Sequence, residues 1–333
     1  MKLLKYMFML SCAMIISTLL TGCSGGEIIE NITREYTISN EVELRAAFAG
    51  VRNNERVRIN LANDIQLTGD AVQFPNGITG SSITIRTQPS AIRTQSSNRR
   101  SITRVSGSER HFIVMPHATL GLEDIIIQSQ QSASDVSYPT VVRGGISIIG
   151  GTLGVNGAEI INNRWSNGGG VSVEGGGIFS SSNGIISNNF AVENGGGVFL
   201  QGNSTFNMNT DRISGNTATG NGGGIAMDNS RLNVSSSSIS GNTATGDGGG
   251  IIATALPNQR SQINASNTQI SQNTADRGGG LAISPIVITH LYGMTIQNNV
   301  GGNTFYLDEL DIPVESLPNF QPSDENRVPV QRH

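Results

Sequence analysis

The chain has 333 residues, of which 42 are glycine, and 36% of its residues are hydrophobic but only 14% are charged. Average soluble proteins have about 7% glycine and about 25% charged residues, so this composition excludes helical bundles and ordinary α/β enzymes. Lysine occurs only at Lys2 and Lys5, and from Cys23 onward 19 arginines face 25 acidic residues. That negative balance argues against a nucleic-acid partner. The clustered glycines, with isoleucine and valine recurring between them, indicate a repetitive β architecture.

The first residues have the pattern of a bacterial export signal. Lys2 and Lys5 precede an apolar run from Tyr6 to Leu20. This run is shorter than a typical transmembrane helix and lies at the start of the chain, as a signal peptide does. We therefore expect the protein to be exported.

The tetrapeptide Leu20-Thr21-Gly22-Cys23 at the end of this run resembles the bacterial lipobox. In a lipobox a diacylglycerol is attached to the cysteine thiol, and the signal is cut just before it. The resemblance implies a signal peptide over residues 1–22, lipidation at Cys23, a spacer over residues 23–35 and a membrane reached through the lipid. Cys12 would be discarded with the signal, so the mature chain is expected to have no disulfide.

A helix is predicted over residues 40–50. Asn40 is a suitable N-cap with Glu43 three residues later, and Gly50 is a suitable stop. The apolar residues on its one buried face suggest that it covers an end of the β structure: Leu44, Ala47, Phe48 and Val51.

Strand-like runs follow this helix, with irregular polar turns between them. Residues 36–130 are predicted to form an N-terminal cap and the early coils of the β structure. The runs are Val57 to Leu61, Ile83 to Arg86, Phe112 to Met115 and Leu120 to Ile127.

From residue 153 the chain repeats one pattern: apolar-x-apolar, four residues, Ile, two residues, Asn and then a glycine triplet. A period near 26 residues is too long for hexapeptide helices and for nine-residue calcium-binding repeats. It predicts an all-β fold, a right-handed parallel β-helix with three short strands per coil. The triplets are predicted to supply tight turns with positive φ, and the asparagines to form a structural ladder of amide hydrogen bonds. These asparagines recur in steps of 26, 27, 26, 31 and 26 residues, at Asn163, Asn189, Asn216, Asn242, Asn273 and Asn299.

The pairing of Ile213-Ser214-Gly215-Asn216 with Gly222-Gly223-Gly224-Ile225 resembles the repeat of chlamydial-type polymorphic outer-membrane proteins. That family carries Gly-Gly-Ala-Ile and Phe-x-x-Asn motifs in a β-helical passenger and is associated with surface display and adhesion. Ile replaces Phe here, and export is expected to depend on the lipid rather than on a C-terminal autotransporter barrel. The resemblance implies a surface-displayed, non-catalytic protein.

The same superfold hosts pectin lyases and polygalacturonases, so a polysaccharide-cleaving enzyme is a second hypothesis. Hydrolysis needs paired carboxylates, and a lyase needs an acidic calcium cluster with an Arg or Lys base. The acids of the repeats are isolated, and no catalytic residue, metal site or cofactor is predicted. Asp247 and Arg277 fall in a turn column otherwise occupied by asparagine. The isolated acids are Glu159, Glu174, Glu193, Asp211, Asp228, Asp247 and Asp276, and the asparagines of the turn column are Asn167, Asn194 and Asn221.

The single tryptophan and the histidines give weaker signals. Trp165 is interpreted as a plug in a wide early coil, with a sugar-binding platform as the alternative. The histidines share no metal-ligand spacing and are predicted to be ordinary surface or cap residues. They are His111, His117, His290 and His333.

Together these patterns predict a lipid-anchored protein of the outer membrane or cell surface that acts as an adhesin or interaction scaffold. Its partner would be a host-surface protein, matrix or glycan, bound by variable loops such as Thr254 to Ser261 and Gln128 to Tyr138. The alternatives are a polysaccharide-binding or polysaccharide-cleaving enzyme and a purely structural envelope protein. Residues 131–312 are predicted as repetitive coils with a C-terminal capping strand, and residues 313–333 as a disordered proline-rich tail.

Overall fold

The computed structural model describes residues 33–88, 99–130, 143–255, 259 and 261–306. Over these residues the chain is a right-handed parallel β-helix, in which each coil adds one strand to each of three long sheets. The predicted fold class is therefore confirmed. Cys23, the signal peptide, the tail over residues 313–333 and most of the two predicted binding loops lie outside the described residues.

The strands stack in chain order within each sheet. Sheet A has ten strands: Arg34–Ile38, Arg56–Leu61, Ser81–Thr87, Ala118–Glu123, Thr152–Asn156, Ile178–Ser182, Thr205–Asn209, Arg231–Ser235, Gln262–Ser266 and Ile288–Tyr292. Sheet B has nine: Ile65–Leu67, Arg100–Arg104, Ile125–Ser129, Glu159–Ile161, Ile185–Ser187, Arg212–Ser214, Ser238–Ser240, Gln269–Ser271 and Thr295–Gln297. Sheet C has nine: Val72–Gln73, Phe112–Val114, Ile146–Ile149, Val171–Glu174, Val198–Gln201, Ile225–Asp228, Ile251–Thr254, Leu281–Ile283 and Thr304–Tyr306.

Four of the coils have a fourth strand in addition to the three that were predicted, and these strands form a fourth sheet, sheet D. It consists of four two-residue strands in the turn between sheets B and C, so the prediction of three strands was incomplete. They are Arg164–Trp165, Phe190–Ala191, Thr217–Ala218 and Thr243–Ala244.

Sharp bends at positive φ separate the strands of sheets A and B. Asp124 has φ 50° and divides the predicted run Leu120 to Ile127 into a sheet A strand and a sheet B strand, so one continuous strand was the wrong prediction. Asn183 and Gly157 make the same bend in later coils, with φ 54° and 66°. Asp, Asn and Gly tolerate this conformation better than other residues.

The main apolar core runs along the solenoid from Ile38 to Val287, and a smaller cluster on sheet C consists of Ala226, Ile252 and Ala282. Alternate residues of each sheet A strand point into the main core, as Phe206 and Met208 do. The rings of Phe179 and Phe206 stack in successive coils with centroids 4.4 Å apart. Because fully burying such a side chain contributes about 1.5–3 kcal/mol, the stacked apolar columns are the main source of stability.

The helix Glu41–Ala49 packs on the first coil, and it confirms the helix that was predicted over residues 40–50. The Asn40 side chain accepts a hydrogen bond from the Glu43 backbone N–H at 3.0 Å. Phe48 packs against the rings of Phe74 and Phe112, with centroids 5.4 and 5.8 Å away. Within the described residues no helix is long and apolar enough to cross a membrane.

The glycine triplets have two separate physical causes, as Gly222, Gly223 and Gly224 show. Only Gly222 has positive φ, 66°. A Cβ at Gly223 would lie 2.5 Å from the Thr243 carbonyl oxygen, and one at Gly224 would lie 3.1 Å from Nδ2 of Asn242. The predicted positive φ is therefore wrong for the second and third positions, which are glycine because the next coil approaches too closely for a side chain.

Candidate functional site

The six asparagines of the repeat lie in one column, in the turn after sheet B. Asn216 donates from its backbone N and from Nδ2 to Oδ1 of Asn242, at 3.0 and 2.9 Å. Asn242 does the same toward Asn273, and its Nδ2 also donates to the Ile213 carbonyl at 3.1 Å. The structure brings together Asn163, Asn189, Asn216, Asn242, Asn273 and Asn299 in this way.

The asparagine column is closed at both ends. Ser129 Oγ donates to Oδ1 of Asn163 at 3.0 Å, and Asn299 Nδ2 donates to Oδ1 of Asn303 at 3.0 Å. The members from Asn163 to Asn273 are at most 1% exposed. Because their hydrogen-bonding groups are used within the protein, this column holds the coils together and offers nothing to a ligand.

Arginine and histidine occupy the corresponding interior of the early coils. Arg104 is fully buried and donates to the carbonyls of Gly69 and Arg110 at 2.6 and 2.7 Å. The Arg104 backbone N–H donates to His111 Nε2 at 3.2 Å, and Nε2 lies 2.8 Å from the Gln128 carbonyl. His111 is 0% exposed, so its prediction as a surface or cap residue is wrong. Burial lowers the pKa of His111 to about 3, so this imidazole is neutral at physiological pH.

Trp165 packs against a buried guanidinium. The Arg110 side chain lies over the Trp165 ring at 4.5 Å from its centroid and donates to the carbonyls of Gly168 and Asn167. Trp165 itself is half-buried and pairs in register with Ala191. Its ring packs on a charged side chain in the turn, on sheet D.

The acids considered for catalysis lie on several sheets and turns, and of these Glu174 and Asp228 both end strands of sheet C, two coils apart. Glu159 pairs with Arg99, Glu174 accepts from Ser172, and Asp228 accepts from Thr254. Asp211 is buried and accepts from the backbone N–H groups of Gly184 and Asn209. In the described part of the chain no three His, Cys, Asp or Glu side chains gather as metal ligands would.

Asp247 and Arg277 belong to a second, shallower column in the turn before the glycine triplets. Arg277 donates from Nε and from a terminal nitrogen to the two carboxylate oxygens of Asp247, at 2.8 and 2.7 Å. Asn221 accepts from the Asp247 backbone N–H at 2.8 Å. The pair thus ends a hydrogen-bonded turn column that begins at Asn167 and Asn194.

The strongest candidate for a binding site is an open groove of about 920 Å³ on the outer face of sheet A. Two rows of outward-pointing side chains line it, and the parallel register places one member of each row on every coil. The central row consists of Gly121, Gly154, Ser180, Asn207, Asn233, Asn264 and His290. The edge row consists of Glu123, Asn156, Ser182, Asn209, Ser235, Ser266 and Tyr292.

Hydrogen bonds join successive members of the central row along the helix axis. Asn207 Nδ2 donates to Ser180 Oγ at 3.2 Å. Asn233 donates to Asn207 Oδ1 at 2.8 Å, and Asn264 donates to Asn233 Oδ1 at 2.7 Å. His290 Nδ1 lies 3.0 Å from Asn264 Oδ1. These contacts fix the side chains of a solvent-facing row.

The groove is nearly uncharged, and carbon atoms make up most of the surface between the polar groups of its two rows. Its lining residues in the described chain include no arginine or lysine, and Glu123 is their single carboxylate. Glu123 lies at the N-terminal end of the edge row, and Tyr292 lies at the C-terminal end with 53% of its surface exposed. The arrangement can offer amides, hydroxyls and one aromatic ring to a bound molecule.

Sequence reasoning missed the central row, although a signal for it exists. Asn207, Asn233 and Asn264 are separated by 26 and 31 residues, the same steps that separate three members of the buried column. They occupy the middle position of the apolar-x-apolar pattern, which points outward when its two neighbours point into the core. Tracking that middle position through every repeat would have revealed the row.

No family model matches the chain, and no curated protein matches it. Among solved structures, a mutant of the periplasmic alginate epimerase AlgG aligns at 11% identity, over 79% of this chain and 85% of that chain, with a TM-score of 0.19. A likeness at this level carries no argument about activity. The assignment as a β-helix rests on the strand register and hydrogen-bonded columns of this chain.

Proposed function

We propose that this protein is a non-catalytic binding scaffold of the bacterial envelope and that an extended partner lies in the groove of sheet A. The observation that carries this proposal is the hydrogen-bonded central row from Ser180 to His290, which is partly exposed along a continuous face. Side chains already fixed in place lose little conformational freedom on binding, which favours affinity. The resemblance to surface-displayed β-helical proteins, seen in the sequence, is consistent with this role.

The groove favours binding over catalysis. Glycosidases that use two carboxylates need them about 5–10 Å apart across the scissile bond. Glu123 is the single carboxylate among the lining residues, and the acids of the repeats are engaged on other parts of the described surface. The groove therefore supplies hydrogen bonds without the pair of groups that bond cleavage would require.

Envelope attachment is the part of the proposal that rests on the sequence. A lipid at Cys23 would hold the rod by its N-terminal end, close to the helix that covers the first coil. The ten strands of sheet A stack over roughly 40 Å at ~4.8 Å per step, so the coils of the groove would stand away from the membrane. That position suits contact with a matrix, a glycan or a host-surface protein.

The groove is tested with two double variants of the anchored protein. Asn207→Arg with Asn233→Arg places bulky charges in the central row, and Ser214→Arg with Ser240→Arg places the same charges on the outer face of sheet B. Binding of expressing cells to matrix-coated surfaces and host-cell monolayers is measured. We expect the first variant to lose binding and the second to keep it; equal binding by both would contradict the proposal.

Anchoring is tested separately with Cys23→Ser. The variant should lose metabolic labelling by a fatty-acid analogue and accumulate as a slower-migrating precursor. Unchanged labelling would contradict lipidation at this residue without affecting the assignment of the groove.

A further inference from the structure

We propose that the ligand of the groove is a neutral glycan chain that lies along the helix axis and presents about one sugar to each coil. This inference rests on the proposed function, because it assigns the chemistry of the molecule that the same groove holds. Four features of the described residues carry it: charge, spacing, free hydrogen-bonding capacity and the position of one aromatic ring.

Charge along the groove is too sparse for an ionic polymer. Arg231 is exposed on the same strand and face as Asn233, two residues before it, and Glu123 is the single carboxylate of the lining. Arg86 is in register with Glu123 but bonds to Asn60 Oδ1 at 2.7 Å and pairs with Glu35. An anionic chain would therefore meet one arginine beside one coil and a carboxylate at another, without a cation on each coil. A cationic chain that spans several coils would meet one carboxylate among the lining residues, that of Glu123. A neutral ligand is the class that this lining fits.

Spacing separates a glycan from a peptide. Parallel strands stack about 4.8 Å apart, so Asn207, Asn233 and Asn264 present the same amide at that interval along the axis. An extended peptide advances ~3.3 Å per residue, so one residue falls about 1.5 Å short of a coil step, and the residue that regains the phase two coils later points to the opposite face. A pyranose unit in an extended chain is close in length to one coil step, so successive sugars can make equivalent contacts.

Asn207 and Asn233 of the central row keep hydrogen-bonding capacity for a ligand, whereas Oδ1 of Asn264 already accepts from Gln262 Nε2 at 2.9 Å and lies 3.0 Å from His290 Nδ1. A carboxamide has two N–H donors and two acceptor positions. Asn233 gives one N–H to Asn207 and accepts one hydrogen bond from Asn264, which leaves one donor and one acceptor position. Sugar hydroxyls both donate and accept, so one hydroxyl pair at each of these two coils can use both.

Tyr292 gives the groove an aromatic end. It follows His290 by two residues on the same face of the last sheet A strand, and both are exposed. An exposed tyrosine offers an apolar ring face with a polar tip, which matches the apolar face and hydroxyl edge of a sugar. Tyr292 would therefore fix one end of the glycan, and the asparagines would hold the chain behind it.

The experiment measures binding of defined hexamers to the full mature chain in detergent by calorimetry. The neutral probes are cellohexaose, xylohexaose, mannohexaose and chitohexaose, the acidic probe is hexagalacturonate, and an uncharged Gly-Ser dodecapeptide represents peptides. We expect at least one neutral hexamer to bind about tenfold or more tighter than hexagalacturonate and the peptide. The corresponding disaccharide should bind weakly, because it spans too few coils.

Matched variants test the contacts. Tyr292→Ala should weaken the neutral hexamer about tenfold, whereas Tyr292→Phe should retain most of the affinity because the ring remains. Asn233→Ala should weaken it several-fold, and Ser240→Ala on sheet B should change nothing. Circular dichroism confirms that each variant is folded.

Three outcomes would overturn the inference: no neutral hexamer binds, the acidic hexamer or peptide binds as tightly, or Tyr292→Ala and Asn233→Ala leave affinity unchanged. If the Asn207→Arg, Asn233→Arg variant still abolishes cell or matrix binding, only the glycan class is wrong. If that variant changes nothing, the proposed function fails as well.

Discussion

The early coils, up to residue 130, and the later coils, from residue 143, fill the same buried turn with different side chains. In the later coils one asparagine per coil accepts from the preceding coil and donates to the next. In the early coils Arg104 donates to backbone carbonyls, and His111 completes the site. A guanidinium only donates hydrogen bonds, so stacked arginines cannot bond to one another. A carboxamide both donates and accepts, so stacked asparagines can form a continuous column.

The outer face of sheet A shows the same division. In its first coils Arg86, Asn60 and Glu35 form a charged network. Beyond Glu123 the two rows of the groove carry glycine, serine and asparagine until His290 and Tyr292, and a third outward row beside them includes Ile178 and Arg231. The sequence reflects this, because residues 34–110 carry a net charge of +4 and residues 111–333 one of −8. The groove therefore begins in the coil that follows the charged network of the first coils.

The largest expected effect contrasts the two asparagines of one coil. Asn242→Leu removes the hydrogen bond of the Asn216 backbone N–H, one of the two hydrogen bonds of the Asn216 Nδ2, which still donates to Ile186, and the one that the Ile213 carbonyl accepts from Asn242. At about 1–3 kcal/mol for each buried unsatisfied group, the free energy of unfolding should fall by at least about 3 kcal/mol. Asn233→Leu, on the outer face, should cost about 0.5 kcal/mol or less. Urea unfolding followed by circular dichroism measures both; equal losses would mean that the buried column contributes no more than a surface row.

The next effect concerns close approach between coils. Gly223→Ala would place a methyl group 2.5 Å from the Thr243 carbonyl oxygen, so the coils must shift apart. Overpacking of this kind costs about 1–3 kcal/mol. At Gly154 the nearest atom to an added Cβ is 4.0 Å away, and Gly154→Ala should leave the melting temperature unchanged. Calorimetry of the two variants tests this, and a similar loss in both would contradict the explanation by coil contact.

A third prediction uses His111, in the early coils. Burial lowers its pKa from 6.5 to about 3, so below pH 6.5 the unfolded chain binds a proton that the folded chain does not. The free energy of unfolding is therefore highest above pH 6.5, where His111 is neutral in both states, and it decreases as the pH falls below 6.5. Between about pH 7 and about pH 5 the loss should be about 2 kcal/mol. His111→Gln should remove this part of the pH dependence, measured by urea unfolding at both values; an unchanged slope would contradict it.

The smallest effect has the opposite sign and comes from Asp211, in the later coils. Burial raises its pKa from 3.8 to about 6, so the folded chain keeps a proton that the unfolded chain releases. The contribution of Asp211 is therefore lost as the pH rises through 6. Between about pH 7 and about pH 5 it should add about 1 kcal/mol on acidification. Asp211→Asn should abolish that gain, and a variant that retains it would show that another group titrates.

The difference between the two regions also explains what the sequence could predict. The repeat made the later coils predictable, because Ile-x-x-Asn recurs with a fixed offset from each glycine triplet. The helix was predictable because Asn40 and Glu43 are local cap signals. The burial of His111 was not, since it depends on Gln128 and on Arg104, which a regular repeat does not relate to it.

The groove was harder to predict for another reason. A row such as Asn207, Asn233 and Asn264 is assembled by strand register, and its members are separated by whole coils of sequence. Their serine and asparagine types are also those of ordinary turns and exposed strands. Only the period distinguishes them, and Tyr292 joins the site by register alone.

The two ends of the buried asparagine column have a consequence for how such proteins change length. Ser129 and Asn303 terminate the column, and every asparagine between them is bonded on both sides. A duplicated coil inserted between these terminators would bring one more asparagine, satisfy its own neighbours and lengthen the outer groove by one step. Recombination among repeats that share this pattern can therefore change the length of the binding face in units of a coil, while both ends of the solenoid stay as they are.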